Sequence, residues 1–138
     1  MTDGSEILNT ILSAAQIGQQ AISNAMTRAS STGIKSVLAS QLQTYDHIES
    51  EALILAAGRG WDTLPDSPRD HCRNRRSFRR NRADSQIAES LIHLHTDVMI
   101  RGLKISHHSE TYDKQINELF QNLLFCQSTH IRQMQPFL

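Results

Sequence analysis

Gln16-Ile17-Gly18, followed in the same half by Tyr45-Asp46-His47-Ile48-Glu49, decides the reading of this chain. The second half repeats the order: Met99-Ile100-Arg101-Gly102 is followed by His130-Ile131 at nearly the same separation. Each half reads as two long amphipathic helices, with a glycine inside the first and a His-Ile pair late in the second. Two such hairpins in 138 residues suggest one domain, a four-helix bundle with pseudo-two-fold symmetry.

Working outward, apolar residues recur every three or four positions, as a helix with one buried face requires. Helix 1 is expected over 5–28, with Ile7, Leu8, Ile11, Leu12, Ala15, Gly18, Ile22 and Ala25 inward. Helix 2 is expected over 34–57, with Ile34, Leu38, Gln41, Leu42, Tyr45, Ile48, Ala52 and Leu55 inward. Ser30-Ser31-Thr32-Gly33 separates these two, and Gly58 and Gly60 supply the stop. Helix 3 is expected over 84–108, with Asp84 as its cap and Ile87, Leu91, Leu94, Val98, Gly102 and Ile105 inward. Helix 4 is expected over 111–135, with Ile116, Leu119, Phe120, Leu123, Leu124, Gln127, Ile131 and Met134 inward, and Pro136 ends it.

Between the hairpins lies an irregular stretch, 59–82, containing Pro65, Pro68 and the arginines Arg69, Arg73, Arg75, Arg76, Arg79, Arg80 and Arg82. Those arginines are half of the chain's 14 lysines and arginines, so the remainder is net acidic although the formal total is zero. A connection this long suits a crossover running the length of a bundle. A helix of about 25 residues is roughly 38 Å long, and the stretch could span about 80 Å when extended.

Gly18 and Gly102 both fall on apolar stripes, where a glycine costs about 1 kcal/mol relative to alanine. Close helix–helix approach at matching levels is the simpler reason for them, and a cavity at that level is the other. No apolar run is long enough to cross a bilayer, and the first residues lack the pattern of a secretory signal, so a cytoplasmic location is expected. Cys72 and Cys126 stand in different contexts and are read as free thiols.

Gln16-Ile17-Gly18, Tyr45-Asp46-His47-Ile48-Glu49 and Met99-Ile100-Arg101-Gly102, with Leu123-Leu124, resemble a group of small uncharacterised bacterial proteins with a ferritin-like bundle. The resemblance implies two hairpins joined by a long crossover, and, in the wider superfamily, often a di-iron or di-manganese site. Such a site draws a Glu from each of two helices and a Glu-x-x-His from each of the other two. Here Thr44 precedes His47 and Gln127 precedes His130 where glutamates would stand, and helices 1 and 3 offer no central inward glutamate. Periodicity also places His47 and His130 about 100° from the centres of their stripes.

Three functional readings follow. The first is a non-catalytic bundle, without catalytic residues, acting through protein–protein contacts as a homodimer. Its apolar positions left for contact include Leu53, Trp61 and Phe125. The second is a degenerate metal or polar core site, for iron or manganese, drawn from His47, His130, His95, Gln127, Gln41 and Glu49. Within it, Gln41, His95 and Gln127 are expected either as a hydrogen-bonded layer inside the bundle or as stripe-edge groups reaching solvent. The third is nucleic-acid binding through a phosphate-binding loop of Arg73, Arg75, Arg76, Arg79 and Arg80. Glu89, His93, Asp97 and Arg101 form one stripe on helix 3, read as a solvated face. Cys126, one turn before His130, is read as a small packing residue rather than a nucleophile.

Overall fold

The computed structural model describes residues 4–61, 83–108 and 113–138. Among them the chain is all-helical: α1 (Gly4–Met26), α2 (Thr32–Gly58), α3 (Asp84–His108), α4 (Lys114–Met134) and a terminal 3-10 turn, Gln135–Phe137. The arginines between Arg69 and Arg82 lie outside the described residues, and so does most of the expected crossover.

Local chemistry sets the ends. Ser31 Oγ accepts from Ile34 N at 3.2 Å and caps α2. The helix passes through Gly58 and stops where Gly60 turns to a φ of 70°. Asp113 caps α4, its Oδ1 accepting from Gln115 N and Ile116 N at 3.1 and 3.3 Å. At the start of α3 the expectation changes. Asp84 is the first helical residue rather than the cap, and Ala83 N donates instead to Gln86 Oε1 at 3.3 Å. Asp84 makes tertiary contacts instead, its two carboxylate oxygens accepting from Ser30 N and Ser31 N at 2.8 and 3.0 Å. Those bonds pin the α1–α2 turn to the start of α3 and hold the Asp84 carboxyl below its usual range.

Each hairpin is antiparallel, and α1 also packs on α3, and α2 on α4. Gln41 of α2 meets Gln133 of α4, while Arg59, at the other end of α2, meets Asp113. That pairing makes α2 and α4 antiparallel, and consequently α2 and α3 run the same way on opposite corners. The end of α2 and the start of α3 therefore sit at opposite ends of the helices. A 27-residue helix is about 40 Å long, which sets the distance between those two ends.

The core forms one continuous cluster from Ile7, Leu8 and Ile11 through Leu38, Ile48, Leu91 and Leu123 to Met134. Burial of each such aliphatic side chain stabilises the fold by about 1.5–3 kcal/mol. The most buried helix is α1, which adds Ala14, Ile17 and Ala21 to the expected stripe, because it touches all three other helices. Trp61, expected as a leftover exposed position, is half-buried against the core, with the Arg59 guanidinium 5.9 Å above its ring.

A candidate polar site at the bundle centre

The middle of the bundle is polar. Gln41, His95, Gln127 and His130 are each at most 3% exposed, and Tyr45 is 1% exposed among them. Tyr45 is the organiser. It sits on the inward stripe of α2 and faces Gly18 of α1, where an added Cβ would lie 2.5 Å from the ring carbon Cε2. A ring fits there only because residue 18 has no side chain. From that seat the Tyr45 hydroxyl reaches diagonally to His95 Nδ1 of α3, at 3.0 Å. The His130 ring of α4 stands edge-on to the Tyr45 ring, with centroids 4.8 Å apart at 81°. His95 and His130 themselves have centroids 5.5 Å apart with planes at 60°.

Gln41 supplies the next contact, its Nε2 donating to Gln133 Oε1 at 3.0 Å and to the His130 carbonyl at 3.4 Å. Four buried atoms in this region have no hydrogen-bond partner on the chain: His95 Nε2, His130 Nδ1, Gln41 Oε1 and Gln127 Oε1. Buried polar atoms are normally paired, so four together call for an explanation.

Electrostatics keep the centre neutral. Burial, with the neighbouring His130 adding to it, pushes the His95 imidazole down to about 3. Burial likewise lowers His130 to about 4. Burial, with Cys126 second, holds the Tyr45 phenol far above its usual range, so it keeps its proton. Cys126 is half-buried, and burial raises its thiol as well. A thiol held protonated is a poor nucleophile.

Of the residues singled out in the sequence, His95 and His130 come together, Gln41 bonds to the His130 carbonyl and Gln127 is buried one turn before His130, whereas His47 and Glu49 stand apart. His47 is exposed and lies 3.1 Å from Glu51 on its own helix. Glu49 is half-buried at the bundle edge and accepts from Gln16 and Gln19 of α1 at 3.0 and 3.1 Å. Glu89, His93, Asp97 and Arg101 are all exposed. Periodicity alone places Tyr45 on the core stripe. The clue to its polar role is its pairing with Gly18, one residue with an unusual need for space and one that grants it.

A carboxylate-bridged metal pair does not fit these residues. Thr44, at one glutamate position, spends its hydroxyl on the Ser40 carbonyl of its own helix at 3.0 Å. Gln127, at the other, is neutral. Among the described residues no three His, Cys, Asp or Glu side chains converge as a metal site. A surface groove of about 430 Å³ between α1 and α3, floored by Ala14, Ile17, Val98 and Ile105, shares none of the central residues.

Fold and site together define an all-helical protein with a hydrogen-bonding centre in an otherwise apolar core. Neither a protein-family model, nor a curated protein, nor a solved structure matches the chain. Among the described residues no helix is long and apolar enough to cross a membrane.

Proposed function

We propose that this protein is a non-catalytic bundle of ferritin-like type that works as a homodimer through protein–protein contacts. The ferritin-like reading is supported by four antiparallel neighbour pairs and by the parallel run of α2 and α3 on opposite corners. The contact reading is carried by one observation: Ile54 and Phe125, large apolar side chains, are each 69% exposed, with Leu53 and Ile100 at 46% and 43%. Single exposed apolar residues are ordinary; several of this size on a small domain favour a covered surface.

The test is the solution mass of the intact chain by light scattering across a concentration series. The expected result is a dimer, converted to monomer by Ile54→Ser or Phe125→Ser with helical content unchanged. A wild-type protein that stays monomeric throughout would refute the contact reading.

A second reading is favoured by the four unpartnered central atoms: the bundle encloses a guest. It differs from the iron or manganese reading, because no carboxylate stands among those four atoms to bridge such ions.

A further inference from the structure

We infer that the bundle centre binds one transition-metal ion of the imidazole-preferring class (zinc, copper, cobalt or nickel), with His95 Nε2 and His130 Nδ1 as its leading ligands. Gln127 and Gln41 add two further buried, unpartnered amide oxygens, on α4 and α2.

The first argument is the inventory. His95 Nε2, His130 Nδ1, Gln41 Oε1 and Gln127 Oε1 are buried, each can present a lone pair, and none is hydrogen-bonded to the chain. They come from α2, α3 and α4, and the two imidazole rings, from α3 and α4, stand with centroids 5.5 Å apart. Leaving a buried polar group unsatisfied is costly, and two facing imidazoles each with an unpartnered nitrogen gain from a shared partner.

The second argument is spacing. Two imidazoles on one tetrahedral ion, at a metal–nitrogen distance of about 2.1 Å, have ring centres roughly 5 Å apart. The observed separation is 5.5 Å, with the planes inclined at 60° rather than stacked.

The third argument is support around the ligands. A metal-bound histidine usually engages its second nitrogen with an orienting group. The second nitrogen of His95 is Nδ1, which shares a hydrogen bond with the Tyr45 hydroxyl at 3.0 Å. Tyr45 is in turn fixed by its seat on Gly18.

The ligand chemistry then selects the ion. Magnesium, calcium and manganese favour carboxylates and other hard oxygens, whereas two imidazoles suit borderline late transition metals. Two imidazoles are too few strong ligands for a pair of ions, so the site takes one at most. This inference does not need the dimer: a monomer that takes up one ion per chain would refute the contact reading and leave this one standing.

The test uses the intact chain, freed of metal by chelator and exchanged into chelator-free buffer. Zinc and cobalt are titrated calorimetrically, and the cobalt form is read by its visible d–d absorption. One ion per chain is expected. His95→Asn and His130→Asn should each weaken binding about tenfold or more. A His107→Ala, His108→Ala variant, altered only at exposed histidines, should bind as wild type. Should the central variants fail to fold, pulsed electron paramagnetic resonance on the copper-loaded exposed-histidine variant decides the matter. Coupling to two imidazole nitrogens supports the site, and one or none overturns it. The inference also falls if the folded wild type takes up no ion, or if binding survives both central substitutions. Water molecules bridging the four atoms in a metal-soaked crystal would sink it equally.

Discussion

Gly18 and Gly102 look equivalent in sequence, and the packing around them separates the two. A Cβ at Gly18 would overlap the Tyr45 ring at 2.5–2.8 Å, and a fully buried ring has nowhere to retreat. A Cβ at Gly102 would meet the edge of Phe120 at 3.5 Å, an ordinary contact. Close approach is thus the reason for the first glycine and not for the second. Gly18→Ala should destabilise the protein by about 1–3 kcal/mol through overpacking. Gly102→Ala should be neutral or stabilising by up to about 1 kcal/mol, since alanine is the better helix former and loses less entropy on folding. Chemical denaturation of the two variants checks both signs, and equal losses would contradict this assignment. Gly18→Ala should also disturb the His95 and His130 ring signals in nuclear magnetic resonance, because it displaces the ring both histidines contact.

At the level of elements, the apolar repeat made all four helices readable to within a few residues, since a 3.6-residue period survives any detail of packing. Burial in the fourth helix was harder to read. Buried residues in α2 include Gln41, Tyr45, Ile48 and Ala52, and in α4 Leu123, Gln127, His130 and Met134, the same spacing in each. The His-Ile pair therefore contributes its isoleucine to the core in α2 and its histidine in α4. Hydropathy assigns the stripe to Ile131 because a histidine scores as polar. The alternation of fours and threes through Phe120, Leu123, Gln127, His130 and Met134 instead runs through His130. His130 tolerates burial because Tyr45 and His95, on two other helices, give it a polar neighbourhood that no local pattern records. The same limit applies to Asp113, whose long-range role is invisible in sequence. Its Oδ2 accepts from Arg59 Nε at 2.6 Å, while its Oδ1 caps α4. The Arg59 bond comes first among the causes that hold its carboxyl below the usual range. Asp113→Ala should cost about 1–2 kcal/mol in thermal or denaturant unfolding. Asp113→Asn should lose less than that, because an amide oxygen still caps the helix. An asparagine variant as unstable as the alanine one would shift the weight from the cap to the ion pair.

For the molecule as a whole, two clamps and a neutral centre hold the four helices together. Asp84 ties the α1–α2 turn to α3 at one end, Arg59 and Asp113 tie α2 to α4 at the other, and the Tyr45–His95–His130 cluster joins three helices in between. Such a centre makes stability depend on acid in a definite direction. In the unfolded chain both histidines titrate near their ordinary value of about 6.5. In the folded chain they stay neutral down to about 3 for His95 and about 4 for His130. Between those limits the unfolded state binds more protons than the folded state, so stability rises with pH and falls as pH drops. Above about pH 6.5 the pair contributes no slope. Below it each histidine removes up to about 1.4 kcal/mol per pH unit, until its folded value is reached and the loss levels off. The Asp84 and Asp113 carboxylates, both lowered on folding, act in the same direction at lower pH: their contribution is present above the usual carboxylate range and lost as they protonate. Denaturant melts at pH 7.5, 6, 5 and 4.5 should therefore show a decline that starts near 6.5, ahead of any carboxylate. Replacing His130 with asparagine should halve the slope between pH 6 and 5 in a variant that remains folded at neutral pH. A flat profile from pH 7 to 5 would mean that the two imidazoles are not sealed from water. The steep one would mark a bundle whose interior excludes protons as firmly as its apolar layers exclude solvent.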